Sequence, residues 1–314
     1  MEVSGHYQKW IDQFVAWAKP RKDIRAAIII GSQAKKDHRH TDDWSDLDIV
    51  IMTSKPGLYT KGNSWMREIA SMWAGLVDTS EVWSGVAAAS GFSVYEGGLI
   101  VDSVILPKFR AQLAILCIQL LKLYPGAWRQ IDNPVIEFCN ELTEFFRRGT
   151  IVLFDKDGLT QKLNKISGSS PQYFPPPPSA AKFRNHVGNF WVDPPRTVAN
   201  LQRGELVWAM RTFIPMTRQL YQLAEWHARA IHGWDDGQHY PPKLIEKWAA
   251  LFIVDTFPQI YPRYDYDEMW RALLALMNLY RQLTVETAGL LGYEIDLSMA
   301  ENIHAWAEKC YKER

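Results

Sequence analysis

Two kinds of hydrophobic pattern alternate through the first half of the chain. Short runs rich in β-branched residues, bounded by glycine, proline or charged positions, are typical of buried strands. Longer segments between them carry apolar residues at helical spacing. The short runs predict strands at residues 24–30, 46–52, 99–106 and 151–154, and the longer segments predict helices at 6–19, 63–76, 108–124 and 134–148. This order predicts a mixed sheet with helices.

A proline-rich stretch divides the chain. Residues 167–179 read SGSSPQYFPPPPS, and four consecutive prolines favour an extended segment over a helix or a central strand. Beyond it the pattern is helical, at residues 180–192, 197–232, 242–252, 265–291 and 298–311. We therefore predict an α+β fold, with a mixed sheet and helices at residues 1–166, a connector at 167–179 and an all-helical domain at 180–314.

Composition narrows the classes of function. The 314 residues carry 35 basic and 35 acidic side chains, balanced in each half, whereas proteins that bind nucleic acid usually show a basic excess. The three cysteines are far apart, which predicts reduced thiols rather than disulfides. The N-terminus lacks the pattern of a secretory signal, and no apolar run is long enough to span a membrane. We expect a cytoplasmic protein that binds neither nucleic acid nor membranes.

Carboxylates on two predicted strands form the chemically informative pattern. Asp46 and Asp48 are two residues apart on a strand, so both side chains point to one face. Asp102 is the lone carboxylate of an apolar strand, where a charge needs a partner. Such oxygen ligands suit Mg²⁺, and if the strands are neighbours the three carboxylates can hold two ions for a displacement at phosphorus. The Gly31-Ser32 turn after the first strand offers backbone N–H groups and a hydroxyl to a phosphate.

Together these motifs resemble a known family. Gly31-Ser32, then Ser45-Asp46-Leu47-Asp48, then Asp102 are similar to the nucleotidyltransferase fold of the polymerase-β type. More closely, the chain resembles the aminoglycoside 6-adenylyltransferase (streptomycin adenylyltransferase) family. The resemblance covers nearly the whole chain, and three further segments support it, at residues 151–158, 189–206 and 264–294.

The resemblance implies transfer of AMP from ATP to a hydroxyl of a streptomycin-like antibiotic, with Mg²⁺, and hence antibiotic resistance. Residues 1–166 would be the nucleotidyltransferase domain and residues 180–314 the substrate-binding domain. Asp46 and Asp48 would be metal ligands, and Asp102 would bind the second ion or activate the acceptor hydroxyl. The Gly31-Ser32 turn would hold the β- and γ-phosphates of ATP.

One departure from the family pattern concerns the phosphate contacts. Position 33 is Gln33, where relatives commonly have a basic residue. We therefore expect basic residues elsewhere to contact the triphosphate, and the candidates are Lys35, Lys36, Arg39 and Lys156.

Four residues of the second half are candidates for contact with the antibiotic. Glu205 can be a general base or pair with a cationic amine, or it can be a solvated helix charge. Trp191 can line a pocket, although aromatic residues at helical spacing more often belong to a core. Asn185 and Asn189, four residues apart on one helix face, can contact a ligand or lie on the surface.

Three alternatives stay open. The same chemistry can act on a lincosamide or another small hydroxylated acceptor, for which an aromatic pocket would be expected rather than an acidic one. Transfer to RNA or protein would need a basic groove, which the balanced charge argues against. A non-catalytic binding module would be expected to lose one of the three aspartates, yet all are present. The expected partners are ATP and a small antibiotic, with the chain as a monomer or a homodimer.

Overall fold

A mixed β-sheet forms where the first half of the chain carries its apolar runs. The computed structural model describes residues 5–34, 44–80, 86–123, 134–168, 176–234 and 242–313. Within these residues the strands β1 to β6 are Ile24–Ile30, Leu47–Thr53, Met72–Asp78, Ala89–Tyr95, Leu99–Pro107 and Ile151–Asp155. They lie in the order β3-β4-β5-β2-β1-β6. β2 and β5 are parallel, and every other neighbouring pair is antiparallel.

Helices cover both faces of this sheet. The helices α1 to α5 are Gly5–Ala18, Ser64–Arg67, Lys108–Leu123, Pro134–Arg148 and Leu159–Ser167. Because side chains alternate along a strand, Leu47 and Ile49 of β2 pack in one cluster with α1 and α2. Val50 and Met52 pack in the other, with α3, α4 and α5. The same alternation turns Asp48 toward the second face.

The helix predicted at residues 63–76 is wrong. That segment forms the single turn α2 and then the edge strand β3, which pairs with β4, a strand that the sequence pattern missed. β4 is rich in small residues, and a Cβ added at Gly91 would overlap Met66 Cε and Ser103 Oγ. Close packing by neighbours from other elements, rather than β-branched composition, accounts for a strand at this position.

Helices are the only regular elements among the described residues of the second half. The helices α6 to α12 are Ala180–Trp191, Asp193–Gln202, Leu206–His232, Ile245–Trp248, Leu251–Ile260, Tyr266–Leu291 and Ser298–Lys312. The predicted continuous helix at 197–232 is instead two helices, α7 and α8, and the segment predicted as helical at 242–252 contains α9 and the start of α10. In their core Phe190 stacks on Tyr280, with ring centroids 3.6 Å apart. The predicted α+β class, a mixed sheet followed by a helical region, is confirmed.

The chain divides into two compact units, Met1–Tyr173 and Phe174–Arg314. The division falls inside the proline-rich stretch at 167–179, and the domain boundaries drawn from the sequence stay predictions. Among the described helices, none combines enough length with enough apolar character to cross a bilayer.

Candidate active site

The turn after β1 brings the backbone close to the first carboxylate strand. Gly31 has a φ of +73°, in the left-handed region that favours glycine. A Cβ at this position would overlap the Asp48 carboxylate and lie 2.8 Å from its Cγ. Ser32 then begins a one-turn helix, in which the Ala34 N–H donates to the Gly31 carbonyl at 3.3 Å. Glycine is therefore required for the turn to approach Asp48.

Strand pairing brings the three predicted carboxylates together. Asp48 and Asp102 are register partners in the parallel pair β2–β5, and side chains at paired positions share one face of a sheet. Asp46 lies two residues before Asp48, just ahead of β2. A ligand oxygen from each of the three lies within 4.8 Å of the others. These residues, here called the carboxylate triad, are the one group of this kind that the described residues contain.

The electrostatics of the carboxylate triad favour a bound cation. Burial raises the pKa of the Asp102 carboxyl above its ordinary value, and the charge of Asp46 raises it further. Asp46 and Asp102 form no ion pair within the described part of the chain. Hard carboxylate oxygens at this spacing are the donor set that Mg²⁺ takes in proteins, so the residues present fit a divalent ion.

Tyr7 supports the strand that carries Asp102. The Tyr7 hydroxyl donates to the Ile100 carbonyl at 3.1 Å, two residues before Asp102, and its side chain is only 2% exposed. Burial raises the pKa of Tyr7, the bond to Ile100 lowers it, and the charges of the carboxylate triad raise it again. Tyr7 lies in the helix that the sequence predicts at residues 6–19. Nothing in the local pattern indicated that α1 would bring it to β5.

Gln33 supports the segment that leads to Asp46. It is 1% exposed, and its side-chain amide donates to the Ser45 carbonyl at 3.3 Å. The sequence marked Gln33 only as a departure from a basic residue. In the structure it connects the turn after Gly31 to the residue before Asp46.

The basic residues expected at the triphosphate have two different outcomes. Lys35, Lys36 and Arg39 lie outside the described residues, so their expected role stays a prediction. Lys156 is placed at the other end of β1, because its backbone N–H donates to the Arg25 carbonyl. Its ammonium donates at 2.6 Å to two carbonyls, those of Arg21 and Ile24. The structure therefore does not bring Lys156 together with the carboxylate triad, and β-pairing with β1 is the physical reason.

A second group of carboxylates lies at this other end of the sheet. Asp157 accepts hydrogen bonds from Arg25, at 2.9 Å from Nε to Oδ2, and lies 2.7 Å from the Lys108 ammonium. The hydrogen bond from Arg25, and to a smaller extent that from Lys108, holds the pKa of Asp157 well below its usual range. Asp155 accepts the N–H groups of Leu159 and Thr160, at 3.2 and 2.8 Å, at the start of α5. The sequence pattern missed α5, which this acceptor stabilises at its N-terminus.

The four expected antibiotic contacts all lie in the helical unit. Glu205, Asn185 and Asn189 are exposed, with the two asparagines on α6 and Glu205 at the residue before α8. Trp191 is 1% exposed and packs edge-on to Phe190, with ring centroids 5.1 Å apart. A ring enclosed in this way belongs to the core. The structure thus corrects the prediction that Trp191 lines a ligand pocket.

The chain is similar in sequence to known proteins. The model of the streptomycin adenylyltransferase family matches residues 6–93 and 127–310. An aminoglycoside 6-adenylyltransferase of Bacillus subtilis (strain 168) is 24% identical over 144 residues, which are 46% of this chain and 50% of that protein. The chain thus matches about half the length of this curated relative.

Two solved structures are also similar. One is the crystal structure of an aminoglycoside 6-adenyltransferase from Bacillus subtilis, with a TM-score of 0.41 and 18% identity over 97% of this chain and 98% of the other. The second is a nucleotidyltransferase-like protein from Exiguobacterium sibiricum, with a TM-score of 0.33 and 10% identity over 90% and 77% of the two chains.

The family match and the site geometry complement each other. Gly31, Asp46 and Asp48 lie within the first matched segment, whereas Asp102 lies between the two segments. The place of Asp102 beside Asp48 therefore comes from strand register and not from the family match. Because the matched segments span most of its residues, the chain belongs to the streptomycin adenylyltransferase family.

Proposed function

We propose that the chain transfers AMP from ATP to a hydroxyl of an aminoglycoside, with Mg²⁺, and so confers antibiotic resistance. The observation that carries the proposal is the carboxylate triad, in which a ligand oxygen from each aspartate lies within 4.8 Å of the others. Membership of the streptomycin adenylyltransferase family supports both the reaction and the acceptor class. The name of the Bacillus subtilis relative agrees with them.

The aspartates and the Gly31-Ser32 turn would have separate roles in the reaction. Asp46 and Asp48 would hold Mg²⁺, and Asp102 would ligate a second ion or accept the proton of the acceptor hydroxyl. When bound, Mg²⁺ supplies positive charge to the phosphates and helps orient them. The Gly31-Ser32 turn would direct backbone N–H groups at the β- and γ-phosphates. In the reaction the acceptor oxygen forms a bond to the α-phosphorus, and the bond from that phosphorus to the leaving pyrophosphate breaks.

Other partners of the reaction follow from the same proposal. Lys35 and Arg39 would contact the triphosphate, as the sequence predicts. Exposed polar side chains of the helical unit, Glu205, Asn185 and Asn189, would contact amines and hydroxyls of the antibiotic.

Because ATP is the donor, we place the enzyme in the cytoplasm. The balanced charge supports a small acceptor rather than RNA.

A direct experiment tests this proposal. The protein is incubated with Mg²⁺ and ATP and with single antibiotics, including streptomycin and lincomycin. Mass spectrometry then looks for an antibiotic carrying one AMP, and a pyrophosphate assay follows the leaving group. We expect an adduct and pyrophosphate with an aminoglycoside. If no antibiotic gives either product, the proposed function is wrong.

One observation favours a second acceptor class. Phe92 is the register partner of Asp102 and Leu76 is the partner of Phe92, so these side chains share the face of the carboxylate triad. Phe92 is 43% exposed and Leu76 is 54% exposed. An acceptor with an apolar surface, such as a lincosamide, would bury these side chains, and polycationic acceptors would gain less from them. An adduct with lincomycin and none with streptomycin would favour this second candidate.

A further inference from the structure

One helix of the N-terminal unit presents apolar side chains to solvent. α3 exposes five large residues, each between 49% and 72% accessible. They are Phe109, Leu113, Leu116, Leu120 and Leu123. Within the described residues these side chains form a continuous row along α3, here called the α3 stripe.

The opposite side of α3 is buried within the N-terminal unit. Ala111, Ala114, Ile115 and Ile118 are buried in the cluster beneath the sheet, together with residues of α4 and α5. α3 is therefore apolar on both sides, although only one side packs within the N-terminal unit. A continuous exposed row of large apolar side chains with polar flanks is typical of an interaction site, so we expect a partner to cover the α3 stripe.

The spacing of the α3 stripe identifies the kind of partner. Its residues follow one another at intervals of four, three, four and three positions. This is the spacing of the apolar seam by which helices pack against each other as knobs into holes. The buried residues of α3 occupy the positions facing away from that seam. A partner helix with the same spacing would fit, and α3 itself is such a helix.

The residues beside the α3 stripe do not oppose pairing between identical helices. Gln112, Cys117 and Gln119 flank it and are uncharged. Arg110 is at one end, where its guanidinium donates to the Val86 carbonyl at 2.8 Å. Two identical charged rows would repel each other, whereas these flanks bring no row of like charges together.

We propose that the α3 stripe packs against the α3 stripe of a second copy of this chain, across a two-fold axis. Such an axis places the same patch of both copies in contact, which suits a row that is complementary to itself. The five side chains offer on the order of 500 Å² of apolar surface, a size at which an exposed patch often marks an interaction site. With its flanking glutamines the patch approaches the roughly 800 Å² per partner of a specific interface.

The family match does not bear on the α3 stripe. α3 lies wholly between residues 94 and 126, the segment that the family model does not match. The proposal depends neither on the proposed reaction nor on the carboxylate triad. A failure of either can therefore be recognised separately.

The test measures the mass of the full chain in solution by size exclusion with light scattering, over a dilution series. We expect the wild type to be a dimer that dissociates on dilution. Leu116→Glu, at the centre of the α3 stripe, should give a monomer whose unfolding temperature matches that of wild type diluted until it is itself monomeric, because association raises the unfolding temperature of the dimer. The matched control is Leu58→Glu, because Leu58 is 60% exposed and lies outside the stripe; it should remain a dimer.

A second variant covers the case in which Leu116→Glu fails to fold. Replacing both Leu113 and Leu120 by glutamine keeps the helix uncharged and should also give a monomer. A wild type that is monomeric at every concentration overturns the proposal. Dimers that persist in both stripe variants overturn it as well, because the dimer contact must then lie elsewhere.

Discussion

The two ends of the sheet carry carboxylates in opposite electrostatic settings. At one end, Asp157 lies between Arg25 and Lys108, and these partners lower its pKa. At the other, Asp102 lies beside Asp46, and burial together with the charge of Asp46 raises its pKa. The first group satisfies itself within the chain and stabilises the fold. The second brings like charges together, an arrangement that becomes favourable when a cation joins them.

This comparison separates structural acids from candidate catalytic ones. The same residue type occurs at both ends, and both groups follow directly from strand pairing with β1 or β5. Within the described part of the chain, Asp157 has two basic partners, whereas Asp46 and Asp102 form no ion pair. Removing a carboxylate should therefore affect stability at one end and activity at the other.

The largest effect is expected at the carboxylate triad. Asp48→Asn should lower the rate of AMP transfer by about 100-fold or more, because electrostatic stabilisation of the reacting phosphate is usually the largest catalytic contribution. Initial rates measure this loss, and urea denaturation checks that the variant is folded. Normal turnover in Asp48→Asn would contradict the metal assignment.

The next effect is expected at the opposite end. Asp157→Asn removes the charged partner of Arg25 and Lys108, so the free energy of unfolding should fall by about 1–3 kcal/mol. The rate of AMP transfer should be unchanged at a temperature where the variant is folded. Asp12→Asn is a control, since among the described residues its exposed carboxylate accepts a single bond, from Gln8 within α1. If Asp157→Asn and Asp12→Asn have the same free energy of unfolding, Asp157 does not stabilise the fold.

A smaller effect distinguishes two buried tyrosines. Tyr7→Phe and Tyr95→Phe each remove one hydroxyl bond to a carbonyl, at 3.1 Å to Ile100 and at 3.2 Å to Met66. Both should lose about 1 kcal/mol of stability. Only Tyr7→Phe should raise the Mg²⁺ concentration for half-maximal activity, by a few-fold, because Ile100 leads to Asp102.

Binding of Mn²⁺ alone, followed by electron paramagnetic resonance, provides a readout for these tyrosine variants without turnover. It should weaken in Tyr7→Phe and stay normal in Tyr95→Phe. If the two variants bind Mn²⁺ equally well, Tyr7 is merely part of the core.

The smallest effect is a dependence on pH. The pKa of Asp157 is lower in the folded chain than in the unfolded one, so its contribution is complete above the unfolded value of about 4. As the pH falls below that value and through the folded pKa, the contribution is lost. The stability difference between the wild type and Asp157→Asn should therefore be constant near neutral pH and shrink in acid. Urea denaturation of both proteins across this pH range measures the difference. A difference that grows toward low pH would contradict the prediction.

The sequence predicted the grouping of the three carboxylates better than it predicted the elements around them. Asp46 and Asp48 stand out because charges interrupt a strand pattern, and Asp102 stands out for the same reason. β3 and β4 were misjudged or missed, since their small and exposed residues carry no strong period. The local sequence around Tyr7 and Gln33 gives no signal of their contacts. Tyr7 bonds to Ile100 on a distant strand, and Gln33 bonds to Ser45, 12 residues further along the chain.

The sequence by itself determined the strands that carry the carboxylates, the turn at Gly31, the break at the prolines and the helical character of the second half. These are local properties, set by side-chain alternation, backbone freedom and helical period. Only the tertiary structure decided that Asp102 stands beside Asp48, that Lys156 lies at the far end of β1 and that Trp191 is enclosed. Each of these depends on which distant elements pair or pack, and that choice is made by the whole fold.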